Sequence, residues 1–575
     1  MRNTAAVSAA LVLTVVAAGV VAAPREPPAD LILTGGHVRT PSGVAQALAV
    51  RDSVIVRVGD EVAVEGLRGP ATHVVALAGA TVLPGLHDVH VHPMFAGIMA
   101  RRCRIAQGAT LAQLQAGVRA CVHKAAPGDW VTGGQWDTPA LGTPPHRTGL
   151  DVVADGRPVY LEDTSGHSAW ANSTALQIAG ITRATPDPEG GIIERDAAGE
   201  PTGVLRETAT DLVRAHIPQP TVPMLGAALQ SSLQEMLSQG ITSYTEAAVG
   251  FVAGADRELA AYRELSHAGL IKPRATLCIT WTPGDEQSER AIRLRNLYAG
   301  PRVSPSCVKI FLDGVPTDSH TAAMLAPYVE ADAPRKDEAA RTGMLLVRQE
   351  VLDAAVTRFD RMGLTVKFHA AGDAAVRAGL NAIAAARKAN GFSGQVHNVG
   401  HCTFVDPADL PRARALGAAF EVSPYLWGPS PINDSIIAAI GPQRIARVWP
   451  VREMLAAGAL VVPGSDWSVV ESVSPWIGME TLVTRERPGG SKDSFGKAEA
   501  ISVAEAVDLF TVNSARQERV ANLIGQIQEG LIADLIIVDR DPYETAPAEI
   551  HGTVVKMTFI GGERVYEHVG HAPGR

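Results

Sequence analysis

Apolar and polar positions change rhythm along the chain. From Leu31 to Leu83 the runs are short and β-type: LILTGGHV, ALAVRDSVIVRVG and HVVALAGATVLPG, rich in Val, Ile and Thr and broken by Gly and Asp. Such segments suit half-buried strands joined by tight turns. The pattern returns from Gly525 to Glu567, in IADLIIVDRDP and GTVVKMTFIGGERVYE. The two ends, residues 30–83 and 525–567, are expected to build one small β-sandwich domain around a central insertion.

The centre, residues 84–524, alternates apolar β runs with Ala-rich helical stretches. The candidate strands are 86–92, 241–247, 274–281, 308–314, 365–371, 395–401, 418–424 and 460–467. Between them lie helical patterns such as VPMLGAALQSSLQEMLSQG and DAAVRAGLNAIAAARKANG, the latter stopping at Gly391. Alternating β and α segments predict an α/β fold. An open doubly wound sheet would show the same alternation. Eight strands with polar residues at their C-terminal ends favour a (β/α)8 TIM-like barrel. The first two strands are separated by residues 93–240, far more chain than a βα unit needs. That stretch has strand-like runs of its own (GDWVTGGQWD, RPVYLED, GGIIERDAAGEPTGVLRE), so residues 100–225 are expected to form an inserted subdomain over the barrel mouth.

The N-terminus follows a third rhythm. Arg2 precedes a continuous apolar run, Ala5 to Ala23, ending in small residues. This is the pattern of a cleaved secretory signal peptide over residues 1–23, with an N-terminal membrane anchor as the alternative. An exported or periplasmic protein is expected. No second apolar run is long enough to span a bilayer, so the mature chain should have no membrane span.

Composition narrows the function. Of 575 residues 46% are hydrophobic and 19% charged, which excludes a disordered chain. A formal net charge of −9 argues against nucleic-acid binding. Five cysteines are too few and too dispersed for a disulfide scaffold. In an exported chain Cys103 could pair with Cys121; equally, all five could be small buried hydrophobes.

The sharpest chemical signal is Asp88-Val89-His90-Val91-His92. On a strand His90 and His92 share a face and could grip one metal, whereas His87 faces the other side and reads as structural. Lys309 interrupts an apolar strand and shares a face with Phe311 and Asp313. A lysine there is costly without a role. His369, His401 and Asp466 each end another apolar run. Singly they have ordinary readings: core histidines, a helix-capping aspartate, a snorkelling lysine. Together they stand at the C-terminal ends of strands 1, 4, 5, 6 and 8, where barrel enzymes keep their active sites.

The constellation resembles the amidohydrolase superfamily. Residues 82–92, VLPGLHDVHVH, are similar to its first-strand signature, although an apolar residue is more usual in the place of His87. Further stretches (SGHSAWANSTAL, KIFLDG, FHAAGDAA, GHCTFVDPADL, GSDWSV and VNSAR) resemble the amidohydrolase family 3 branch, which includes N-substituted-formamide deformylases. The resemblance runs from about residue 30 to 567. It implies two divalent metal ions, with zinc expected. His90 and His92 would bind one and His369 and His401 the other. Lys309, carboxylated by CO2, would bridge them. Asp466 would ligate the first metal and carry the proton from a bridging hydroxide to the departing nitrogen. Lys367 lies on the His369 face, as a competitor for the bridging role or as a charged rim residue.

His167 matches a position that the family tends to place near substrate. Trp136, Trp170, Tyr425, Trp427 and Trp467 fall in segments expected near the mouth. They suggest a partly aromatic pocket or ordinary packing beneath the subdomain. Asp313 and Asp373 would orient ligands or cap the next helix. The expectation is a hydrolase of an amide or N-formyl-type C–N bond, with a small-molecule substrate and self-association to a homodimer left open. Alternatives are a mononuclear deaminase or cyclic-amide hydrolase, an esterase or lactonase, and a non-catalytic binding relative.

Overall fold

The computed structural model describes residues 26–569, apart from 107, 127, 137, 164–167, 189–190, 318–319 and 330–340. The expected signal peptide and His167 therefore lie outside the described residues. No described helix is long and apolar enough to cross a membrane.

All eight expected strands form one sheet, in chain order and with every ladder parallel. They are β1 (Leu86–Val91), β2 (Ile241–Val249), β3 (Arg274–Thr280), β4 (Val303–Phe311), β5 (Thr365–Ala370), β6 (Asn398–His401), β7 (Ala419–Val422) and β8 (Leu460–Pro463). The parallel strands are joined by helices packed on the outside. The helix Val222–Ser238 starts at Thr221, whose side chain accepts from Met224 N, and buries Leu225, Leu229, Leu233 and Met236 at helical spacing. The helix Asp373–Asn390 ends at Gly391, where a φ of 75° favours glycine.

The sheet closes just beyond the strand ends. Asp466 N donates to His90 O at 2.7 Å and His92 N to Trp467 O at 2.7 Å. Ser465 N donates to Asp88 Oδ1 at 3.0 Å. Gly464 makes this approach feasible, because a Cβ there would collide with His90 Cβ. The residues that join the last strand to the first are thus the same ones that carry the candidate ligands.

The two chain ends meet in one sheet. Strand Leu535–Val538 pairs antiparallel with Thr81–Pro84 inside a six-stranded sheet that also holds His37–Thr40, Gly43–Ala45, Val555–Ile560 and Glu563–Glu567. A four-stranded sheet of N-terminal strands shares a core with it through Leu33, Leu48, Val82, Leu535 and Phe559. Within the long stretch after β1, six strands between Cys103 and Glu207 form a separate sheet with a core of its own.

Two disulfides are present. Cys103–Cys121 realises one of the two readings of the sequence. Cys278–Cys307 was not expected: it joins β3 to β4, where the parallel register sets the two cysteines side by side. Cys402 is free and buried. Replacing Gly464 with Ala should lower stability by about 1–3 kcal/mol through overpacking at the seam. It should appear as a lower denaturation midpoint with an unchanged m value.

Candidate metal centre

His90 is the last inward-facing residue of β1, and His92 stands one residue past the strand, at the start of the helix Pro93–Arg101. Asp466 follows β8 with φ at 60°, a left-handed conformation in which its carboxylate meets both rings. His90 Nε2 lies 3.6 Å and His92 Nε2 3.2 Å from Asp466 Oδ1. One donor atom from each of the three lies within 4.8 Å of the others.

The other expected ligands converge on this group. Lys309 Nζ on β4 is 3.5 Å from His90 Nε2. The His401 ring is 4.7 Å from that of His90 and 4.8 Å from that of His369. His401 Nδ1 is 4.0 Å from Asp466 Oδ2.

Three of the four imidazoles are also held from behind. His369 Nδ1 meets Asp313 Oδ1 at 3.0 Å, His401 Nδ1 meets Ser423 Oγ at 2.9 Å, and His90 Nδ1 is bonded to Glu421 Oε1. A partner on Nδ1 would leave Nε2 available to a metal, the usual arrangement around metal-bound histidine. Asp313 therefore orients His369; its oxygens also accept from Ala323 N, Ala371 N and Gly372 N. Asp373 instead ties Leu325 N.

The electrostatics suit a cation. Burial, reinforced by neighbouring positive charge, pushes His90 well below the ordinary imidazole value, and burial does the same to His401, so both are neutral. Burial opposes ionisation of Asp466, but the hydrogen bond from His92 and the positive charge around it outweigh burial and hold the carboxylate below its usual range. Burial also works against a proton on His92, yet Asp466 and Glu246 raise its pKa to about 9. Among the described residues His92 Nδ1 has no hydrogen-bond partner. A bound cation would take the place of that proton. Burial brings Lys309 down to about 7, so a neutral amine is accessible near physiological pH. Imidazoles, a carboxylate and a desolvated lysine in one buried cluster fit divalent metal.

Two participants escaped the sequence reading. Glu421 in β7 is fully buried and also contacts Lys367 and, at 3.0 Å, Asn398 Nδ2. Glu246 in β2 lies 3.4 Å from His92 Nδ1 and accepts from Tyr262 Oη at 2.9 Å. A charged residue inside an apolar strand is the signal that singled out Lys309, and it could have singled out both. Lys367 is not a charged rim residue: its side chain is 1% exposed inside the barrel and paired with Glu421. His87 is structural, bonded to Glu518 at 2.9 Å.

The expected aromatic residues are distributed differently. Trp136 and Trp170 pack edge to face at 6.1 Å in the core of the six-stranded sheet after β1. Trp427 is buried and stacks on Trp449 at 5.3 Å, beneath the Arg485 guanidinium. Trp467 is buried, with its carbonyl in the β1–β8 seam, and Tyr425 is largely buried. The rings beside the ligands are phenylalanines. Phe251 is 6.3 Å from His92 and 60% exposed, and Phe311 is 5.7 Å from His369.

The fold and this ligand cluster define a metal-dependent hydrolase of the barrel type. A sequence profile of the amidohydrolase family matches residues 73–566, and the chain belongs to that family. It is 28% identical over 526 residues to YtcJ of Bacillus subtilis, covering 91% of this chain and 96% of that protein. It is also 28% identical over 566 residues to the N-substituted formamide deformylase of Arthrobacter pascens, covering 94% and 99%. The crystal structure of an uncharacterized metal-dependent hydrolase from Pyrococcus furiosus has the same fold. It superposes with a TM-score of 0.71 at 24% identity, covering 89% of this chain and 100% of that one.

Replacing Asp313 with Ala would strand three backbone N–H groups and free His369. Each unsatisfied buried donor costs about 1–3 kcal/mol. The variant should lose more than about 3 kcal/mol of stability in chemical denaturation and should bind metal more weakly.

Proposed function

We propose that the protein hydrolyses a non-peptide C–N bond, of the amide or N-formyl type, at a centre of two divalent metal ions, with zinc the expected metal. The observation that carries this reading is the convergence of His90, His92 and Asp466 with Lys309 buried against them. The likeness to an N-substituted formamide deformylase over nearly the full length of both chains supports the substrate class. His90, His92 and Asp466 would hold one ion, and His369 and His401 the other. When bound, the ions supply a water acidified toward neutral pH and a Lewis acid for the carbonyl oxygen.

The chain's own residues do the rest. The neutral amine of Lys309 adds to the carbon of CO2 and releases a proton, leaving a carbamate whose two oxygens can serve two cations. Asp466 accepts the proton released as water adds to the carbonyl carbon, on the carboxylate that faces His92. It then delivers that proton to the departing nitrogen as the C–N bond breaks. A second reading, with one metal only, draws on the compactness of the His90–His92–Asp466 group relative to His369 and His401.

Elemental analysis of protein never exposed to chelator separates these readings: about two equivalents per chain are expected, and one would favour the mononuclear centre. Asp466→Asn should abolish turnover of N-formyl or N-acyl amines while metal stays largely bound; unchanged turnover would remove its role as proton carrier. Lys309→Ala should lose metal and activity, with partial rescue by a small carboxylate. Matched ester substrates test whether the C–N preference holds. Export of the protein, with a cleaved leader, is also proposed. Two disulfides support it, since such bonds persist in oxidising compartments.

A further inference from the structure

Beneath the candidate metal centre lies a second set of charges that neither the hydrolytic chemistry nor the ligand set uses. Glu421 is fully buried, as are Lys367 and Asn398. One Glu421 oxygen is bonded to His90 Nδ1. The other accepts from Lys367 Nζ and, at 3.0 Å, from Asn398 Nδ2. Gln517 Nε2 in turn donates to Asn398 Oδ1 at 2.7 Å, which turns the Asn398 amine toward Glu421. Gly400 leaves the space: a Cβ there would stand 2.7 Å from Glu421 Oε1.

Such a pair is expensive. Two buried charges cost more to desolvate than their attraction returns, and apolar residues of similar volume usually stabilise a fold as well or better. Stability alone therefore does not account for it. The direction of the hydrogen bonds does. Lysine can only donate, and the asparagine is oriented to donate, so every neighbour on that side presents a proton to Glu421. With that oxygen taken, the remaining one is left to accept from His90 Nδ1–H. The His90 Nε2 lone pair then points at Asp466 and Lys309.

We propose that Lys367 and Glu421 form a positioning pair for the metal centre. Glu421 sets the tautomer and ring orientation of His90, and Lys367 with Asn398 locks the carboxylate that does so. This rests on the metal-centre reading above, and it gives the second barrel lysine a role distinct from that of Lys309. The pair touches neither substrate nor metal and acts through His90. An amide cannot replace the carboxylate: with one acceptor it must turn its NH2 either on His90 or on the Lys367–Asn398 side.

The test measures zinc affinity by competition with a chromophoric chelator, with Zn2+ alone as probe, alongside the melting temperature of the metal-free full-length protein. Lys367→Met/Glu421→Leu replaces the pair by apolar residues. The expected result is a metal-free melting temperature at or above wild type, with zinc bound roughly 10–100-fold more weakly, the usual cost of losing such a partner. Glu421→Gln, isosteric, should weaken zinc binding by a similar factor, and it decides the matter alone if the double variant does not fold. Wild-type zinc affinity in either folded variant overturns the proposal, because a purely structural pair would be replaceable. Wild-type protein that takes up no zinc overturns the metal-centre reading and this proposal with it.

Discussion

The seam between the first and last barrel strands is the constraint on which the site depends. Ladder pairing stops at the end of β8, and closure passes to three backbone donors: Ser465 N on Asp88, Asp466 N on His90 O and His92 N on Trp467 O. Each bond lies at or next to a candidate ligand. Gly464 lets the two segments approach to backbone distance, and Asp466 takes a left-handed conformation to turn its carboxylate inward. Closing the barrel and assembling the His90–His92–Asp466 group are thus one event. The geometry of the candidate ligands inherits the rigidity of the sheet, which would suit a centre that holds metal.

The barrel interior departs from the usual filling of Val, Ile and Leu. It holds Asp88, Glu246, Lys309, Lys367, Asn398 and Glu421, all buried. Charges in a low-dielectric interior persist only when paired or neutralised. Lys367 and Glu421 pair with each other, and Glu246 meets Tyr262 and His92. Burial drives Asp88 up to about 7, toward its protonated form. Among the described residues Lys309 has no bonded carboxylate partner, and burial brings it down to about 7 instead. The two barrel lysines therefore sit in different surroundings: Lys367 is held in an ion pair with Glu421, whereas Lys309 is brought toward neutrality by burial.

Most of the fold was legible because its signals are local. Periodicity of two in the strands, 3.6 in the helices, and Gly391 as a stop read correctly from adjacent residues. Strand ends were less secure. The strand expected at 308–314 runs from Val303 to Phe311, so Asp313 stands beyond it in the loop that orients His369. Polar residues at strand ends pointed to the cluster of candidate ligands that the structure brings together. Inside β7, Glu421 was overlooked because its neighbours made the segment look like plain core.

The chain by itself determined the eight strands, and it marked the candidate ligands and the β-type segments at its two ends. It did so because alternation and strand-end chemistry are written within a few residues. Only the tertiary structure decided which buried groups touch. Glu421 meets His90 across 331 positions of sequence. Cys278 faces Cys307 through the register of two parallel strands, and tryptophans expected near the mouth settle into two separate cores. Those outcomes depend on how distant strands align, and a one-residue change of register would turn each side chain to the other face of the sheet.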